Sequence, residues 1–488
     1  MRSTFQKFGL IGSGVIIGVL ISLNFSALAE KVTSSQLPID DLRVFAEVFG
    51  KVKSDYVESV EDKKLINEAL TGMLSGLDPH STFMDADAYK DLQAGTQGEF
   101  GGLGIEVAME EGLVKVVTPI EDSPAYKAGL KSGDLISKLD DTQVRGLTLN
   151  DAVKKMRGKP DTPIVLTVLR KGEAKPLTFT LVRAIIKTQS VKNKYIEKDY
   201  AYVRITQFQE HTGEDLAKAL ISLQAQNKGP FKGLVLDMRN NPGGLLDASV
   251  GVSAAFLAKN DLVVYTEGRV QDSKMRLSAN PLDYARRGKS DYLKNVPESY
   301  KKTPMVVLIN AGSASASEIV AGALQDHKRA TILGITSFGK GSVQTILPMN
   351  NGSAIKLTTA RYFTPNGRSI QAKGIVPDIA VDDGSDPANA MHEADLAKHL
   401  SNPKDAAEAA ESQKAKDAAK EAAAKAKLNE KKFAETQGPI EPASKDDFQF
   451  MQAMNLLKGL PVQKAPEPKV AEAKATDLKP ADAKPAAK

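Results

Sequence analysis

The stretch MVVLINAGSASASEIVAGALQDHKRATILGITSFGKGSVQ, Met305 to Gln344, decides how the rest of this chain is read. It opens on the apolar run of a buried strand and passes through a turn of small residues into a helix. The strand Thr331–Gly334 follows, and then a glycine-flanked loop around Lys340. Ser313, Ser315 and Ser317 fall where the helix begins. A helix N-terminus presents unpaired N–H groups and a positive partial charge, which suit a developing oxyanion. Lys340, bracketed by Phe338, Gly339 and Gly341, can be approached closely and kept dry. A serine and a desolvated lysine are the parts from which a nucleophile and its base can be assembled.

The same alternation of strand and helix extends outward from this stretch. Between residues 186 and 383, strands are expected at Tyr200–Ile205, Gly233–Met238, Leu262–Gly268 and Ala354–Phe363, with helices at Gly213–Gln226 and from Leu245. That order argues for an α/β core, a mixed or parallel sheet with crossover helices. Residues 38–97 read as helical, with Leu42, Phe45, Val48, Phe49 and Val52 at spacings of three and four, followed by the turn-rich GLDPHSTFM. Such amphipathic helices must pack on the core or on a second subunit. Residues 384–445 are rich in Ala, Lys and Glu without an apolar face, and read as a linker. Residues 446–460 return to apolar spacing, as a helix that docks on the core or a partner. The tail 461–488 has the composition of a disordered segment.

Composition narrows the chemistry. The chain has 488 residues, a formal charge of +5 spread over both signs, 6 % aromatics and no Trp. Basic residues nowhere alternate with aromatics, so nucleic acid is not an expected partner. The absence of Cys excludes disulfides, thiolate catalysis and Cys-ligated zinc. His80, His211, His327, His392 and His399 are scattered, with no HExxH and no close pair; neither a metal nor a cofactor is expected. Residues 1–29 join Arg2 and Lys7 to an apolar run and to Ala27-Leu28-Ala29, the pattern of a signal peptide. The run nearly reaches the about 20 residues of a membrane span, so a retained anchor stays open. Either way the remainder is expected outside the cytoplasm.

Residues 98–185 change texture to short strands and tight turns, with a helix from Thr148 to Met156 and the strands IVLTVLR and LTFTLV. GGLGI at 101–105, SPAYKAGLKSGDLI at 123–136 and LNDAVKKMRG at 149–158 together resemble a bacterial PDZ domain. In that arrangement N–H groups around Gly102, Leu103, Gly104 and Ile105 hold a C-terminal carboxylate. The peptide then adds as a strand beside the edge formed by Leu103, Ile105 and Val107.

Ser315 is the expected nucleophile. A serine at a helix start is ordinarily a cap, but small residues around this one leave room for a substrate backbone. No histidine stands in a suitable loop nearby, so the base falls to Lys340, which can accept a proton only if burial disfavours its ammonium form. Gln344 can orient the lysine through one hydrogen bond. The oxyanion donors expected are Ala316 N–H and a second N–H from the NNPGG turn, at Gly243 or Gly244. Glu318 and Asp326 read as capping or ion-pairing residues.

With GLDPHSTFM, GGLGI, DMRNNPGG, GSASASEIVAGALQD, FGKGSVQ and GIVPDIAV on the page, the chain resembles the carboxyl-terminal processing proteases, tail-specific serine–lysine peptidases that carry a PDZ domain. The resemblance covers about 38–381. It implies Ser315 as nucleophile, Lys340 as general base, Gln344 as assistant, and a PDZ domain that binds substrate C-termini and switches the core. It also implies a sensing arginine on a PDZ strand, for which Arg170 is the counterpart, a periplasmic location, self-association through the terminal helices, and adaptor partners. The rival reading is a non-catalytic, C-terminus-binding scaffold of the cell envelope; only the joint presence of Ser315, Lys340 and Gln344 argues against it.

Overall fold

The computed structural model describes residues 37–120, 122–173, 175–285, 290–382, 390–403 and 441–463. The signal or anchor segment, most of the Ala/Lys linker and most of the tail lie outside the described residues. Two compact units divide the chain at Glu68. The first contains the helix Ile39–Asp55, in which no residue is buried; Leu42, Phe45 and Val48 are each about half exposed. Among the described residues no helix is long and apolar enough to cross a membrane.

The second unit carries the protease-like core and the inserted domain. Its six-stranded sheet has the order Val191–Glu197, Tyr200–Ile205, Gly233–Asp237, Met305–Ile309, Thr331–Gly334, Ile379–Ala380. The first pair is antiparallel and the others parallel. Both central strands are buried at every position, which is why their sequences are continuous apolar runs rather than alternating ones. Leu234, Leu236, Val307 and Ile309 point into the larger cluster beneath the helices Thr212–Gln226, Leu246–Ala254 and Ala316–Asp326. Val235, Val306 and Leu308 point the other way, onto Phe450, Ala453 and Met454 of the helix Phe448–Leu457. The C-terminal helix thus folds back on the core. Arg239 fixes it there, pairing with Asp237 and with Asp447, the helix cap.

A second, antiparallel sheet was not separable from the first by sequence pattern. Its central strand Ala354–Phe363 pairs with Ser342–Pro348 on one side, and with Thr82–Met84 and Leu262–Gly268 on the other. GLDPHSTFM therefore ends in a core strand, not in a link belonging to a helical region. Ser342–Pro348, which directly follows the loop expected around Lys340, is an edge strand. The segment 390–403 also departs from the linker reading. Glu393 is 1 % exposed and its N–H donates to Phe338 O (2.9 Å).

The inserted domain has five strands in the order Ile105–Glu110, Leu113–Pro119, Leu135–Leu139, Pro163–Leu169, Leu177–Val182, with a short sixth at Thr142–Gln143. Its helix Leu149–Met156 starts at a capping box of Thr148 and Asp151. Entry and exit strands, Glu99–Gly102 and Ala184–Lys187, pair with each other as a two-stranded ribbon. Both ends of the insertion leave the core side by side.

Candidate active site

Two parallel neighbours of the main sheet, Gly233–Asp237 and Met305–Ile309, end together, and ligand sites in such sheets form beyond those ends. Their following turns, 239–244 and 311–317, are laced side by side. Asn310 Nδ2 donates to Asn240 Oδ1 (2.9 Å), Ala314 N–H to Asn241 O (3.0 Å), Ser313 Oγ to Met238 O (2.9 Å) and Ser317 Oγ to Asn241 O (2.9 Å). These bonds sort the three serines. Ser313 and Ser317 are fully buried, and their hydroxyls hold the turns together. Ser315 is partly exposed, and its hydroxyl proton has no acceptor among the described residues.

Ser315 stands at φ 54°, ψ −111°, a left-handed conformation that costs a non-glycine residue of order 1–3 kcal/mol and is found where surrounding structure enforces it. Here a clamp from both sides does so. Glu318 Oε2 accepts Ser315 N–H (2.7 Å) and Lys340 N–H (2.9 Å); Glu318 Oε1 accepts Gly339 N–H (2.7 Å) and Ser337 Oγ–H (2.6 Å). The buried Tyr362 hydroxyl lies between Ser315 O (3.1 Å) and Lys340 O. One carboxylate and one phenol thus tie the serine turn to the lysine loop. Burial pushes the Glu318 carboxyl up to about 7, against the four donors that favour its ionised form.

Lys340 is partly buried. Desolvation first, and then the nearby Lys356 ammonium, lower its amine to about 8; Glu393, Glu318 and Asp78 act in the opposite sense. Among the described residues, no hydrogen bond joins Lys340 Nζ to Ser315 Oγ or to Gln344. Gln344 instead donates from Nε2 to Ser342 Oγ (2.9 Å) and reaches Thr358 Oγ1 (3.4 Å). Thr358 in turn donates to Asp78 Oδ1 (3.0 Å). The structure therefore brings the backbones of Ser315 and Lys340 together, with no hydrogen bond between their reactive atoms among the described residues.

The expected oxyanion donors differ in availability. Ala316 N–H, first in its helix, and Gly244 N–H carry no acceptor among the described residues. Gly243 N–H is engaged by Asn241 Oδ1 (2.9 Å). Gly243 (φ +99°) contributes proximity instead: a Cβ there would lie 2.8 Å from Ser315 Cβ and 3.0 Å from Ala316 N. Only glycine lets this turn approach the serine so closely.

In the inserted domain Ile105–Glu110 is an edge strand with one ladder partner, as peptide addition requires. Ile105, Val107, Leu149 and Val153 are partly buried against the domain core. Gly104 (φ +75°) packs where a Cβ would fall 2.2 Å from Ser123 Cβ. Arg170 makes a bidentate pair with buried Asp134 (2.7 and 2.8 Å) and donates to Gly129 O (2.9 Å). Its hydrogen bonds all stay within its own domain. The guanidinium holds the Asp134 carboxyl below its usual range, against desolvation.

Sequence reasoning gave no role to Tyr362, Lys356, His80, Gln371 or Glu393, and treated Glu318 as a capping or ion-pairing residue. The Ser-x-x-Glu spacing did carry the signal for Glu318. The others come from strands and segments far away in the chain, and no local pattern marks them.

A PDZ-type domain inserted ahead of a core that presents a serine on a strained helix start defines a serine protease with a peptide-binding module. Family models agree. Peptidase family S41 matches residues 199–381, a PDZ domain 101–181, and the activating protease CtpB N-terminal domain 21–88. A carboxy-terminal-processing protease of Bartonella bacilliformis is 49 % identical over 370 residues, 75 % of this chain and 81 % of the relative. Carboxy-terminal processing protease CtpB of Bacillus subtilis is 36 % identical over 379 residues, 76 % of this chain and 75 % of the relative. A solved photosystem II D1 C-terminal processing protease is 30 % identical, covering 70 % of this chain and 92 % of its own, at a TM-score of 0.40. The chain belongs to the carboxy-terminal processing protease family and is a serine-type protease. The scaffold reading is set aside.

Proposed function

We propose that this protease cleaves exported polypeptides after capturing their C-termini, with Ser315 as nucleophile, Lys340 as general base and Gln344 as the residue that orients the amine once substrate is bound. The observation that carries this reading is the sorting of hydroxyls at the helix start. Ser313 and Ser317 are spent on structure, whereas Ser315 is accessible, strained and tied through Glu318 and Tyr362 to the loop of a desolvated lysine. Lys340 takes the Ser315 proton as Oγ attacks the peptide carbonyl, and returns it to the leaving amine as the acyl-enzyme forms. A water then repeats the sequence in reverse. Ala316 N–H and Gly244 N–H receive the oxyanion.

Lys340 Nζ, without a hydrogen bond to Ser315 Oγ among the described residues, fits a resting state. Substrate binding in the groove beside Gly102, Leu103, Gly104 and Ile105 would then favour the engaged one. In that scheme Arg170 senses peptide by exchanging its Asp134 pairing for a contact outside its domain. Export rests on residues 1–29, as signal peptide or as inner-membrane anchor, and places the enzyme in the periplasm. Self-association through the exposed apolar stripe of Ile39–Asp55, and an adaptor protein, complete the proposal.

Ser315→Ala and Lys340→Ala test it. Each should lower turnover of an unstructured, apolar-tailed substrate by about 10⁴-fold or more while leaving binding of that tail unchanged. Turnover at the normal rate in either variant would remove the proposal. Co-purification of envelope proteins with Ser315→Ala would then identify natural substrates.

A further inference from the structure

We propose that Glu393 is a positioning residue for Lys340, delivered to the active site by a strap, residues 390–395, that lies beyond the 199–381 peptidase match. The proposal deepens the serine–lysine reading and rests on Lys340 being the base. Three contacts carry it. Glu393 N–H donates to Phe338 O (2.9 Å), two residues before the lysine. Glu393 Oε1 accepts from Gln371 Nε2 (2.9 Å), while Gln371 Oε1 accepts Gly341 N–H (3.0 Å), the residue after the lysine. His80 Nε2 lies 2.8 Å from Glu393 Oε2 and 3.0 Å from Oε1, anchoring the carboxylate to the GLDPHST turn. Both sides of Lys340 are thus held through one residue: its amide N–H reaches Phe338 O, and its carboxylate, 1 % exposed, reaches Gly341 by way of Gln371. Within the strap His392 Nδ1 lies 3.1 Å from Ser337 O, and beyond it Asn402 Nδ2 donates to Gln371 O (2.8 Å).

The arrangement explains why a motif as remote as GLDPHST stands at this site. Asp78 accepts from Ser81 and Thr358, whose neighbour is Gln344, and His80 reaches Glu393. One turn is thereby linked to both expected partners of the serine, to Gln344 through Thr358 and to the lysine loop through Glu393. Burying the His80–Glu393 pair is costly unless its geometry is good and its remaining atoms are bonded, and here Gln371 supplies the further bond. The Glu393 charge also bears on the lysine amine, in the same sense as Glu318 and Asp78 and opposite to Lys356.

The full-length Glu393→Gln enzyme separates positioning from support. The variant keeps the shape of the side chain and an acceptor for Gln371. Turnover of a tailed peptide should fall about 10- to 100-fold in kcat, as expected for a displaced catalytic group, with KM within about twofold. The acidic limb of the kcat profile should move to lower pH, because a negative charge that favours the Lys340 ammonium has gone. A folded variant with unchanged kcat and an unmoved limb overturns the proposal, even if its melting temperature falls. Should Glu393→Gln not fold, Gln371→Ala severs the link to Gly341 while leaving the His80–Glu393 contact in place, and the same kcat loss is required of it. Lys340→Ala measured alongside distinguishes the two levels: if that variant turns over normally, the serine–lysine reading itself has failed.

Discussion

Replacing Lys340 with Met should make the protein more stable as it makes it inactive. Lys340 is lowered from 10.5 to about 8, mainly by desolvation. A shift of that size is about 3 kcal/mol of disfavoured ammonium. The unfolded chain holds the lysine proton up to pH about 10.5 and the folded chain only to about 8. The unfolded state therefore binds more protons across that window, and wild-type stability rises with pH through it. Below pH 8 the folded protein carries the full penalty. Met keeps the apolar stem and removes the charge, although Glu393 and Glu318 lose a favourable neighbour. A net gain of about 1–3 kcal/mol at pH 7 follows, shrinking toward zero above pH about 10.5. Urea denaturation followed by far-UV circular dichroism, wild type against Lys340→Met from pH 6.5 to 10.5, measures it. Equal stability at pH 7, or a difference that does not change with pH, would refute the claim that the amine is desolvated.

Three further outcomes are expected. Gly243→Ala places a methyl 2.8 Å from Ser315 Cβ and Ala314 O at φ +99°, and should reduce kcat at least about 100-fold in a peptide assay while C-terminal peptide binding persists. Ser317→Ala removes a bond to Asn241 O and should cost about 1 kcal/mol in a melting experiment with activity within a few-fold of wild type, the opposite of Ser315→Ala. Amidating the C-terminus of a test peptide should weaken its binding to the edge-strand groove about tenfold or more by calorimetry, since backbone N–H groups there are proposed to hold a carboxylate.

The parts of this molecule legible in the sequence are those whose physics is local. Met305–Ile309 and Gly233–Asp237 announce burial on both faces by continuous apolar runs, and the helix after Ser315 announces itself by a cap and an apolar stripe. Glycine turns fix the close approaches at Gly243 and in the inserted domain. What could not be read depends on distant pairing. Thr82–Met84 becomes a core strand only because Ala354–Lys356 lies alongside it. Gln344 sits on an edge strand by the same pairing, which no periodicity in FGKGSVQ betrays. Glu393 is one carboxylate at the edge of a charge-rich segment, and only tertiary burial separates it from its solvated neighbours. Of the three serines, local sequence shows all at one helix start; which hydroxyls are consumed depends on Met238 and Asn241, more than seventy residues away.

The most direct measurement is intact-mass and peptide-mapping analysis of enzyme quenched during turnover of an activated acyl substrate, at pH 7 and pH 9. The account predicts an acyl adduct on Ser315, formed faster at pH 9 as the Lys340 amine sheds its proton, and undetectable in Lys340→Ala. An adduct on another residue, or acylation at wild-type rate without the lysine, would contradict it.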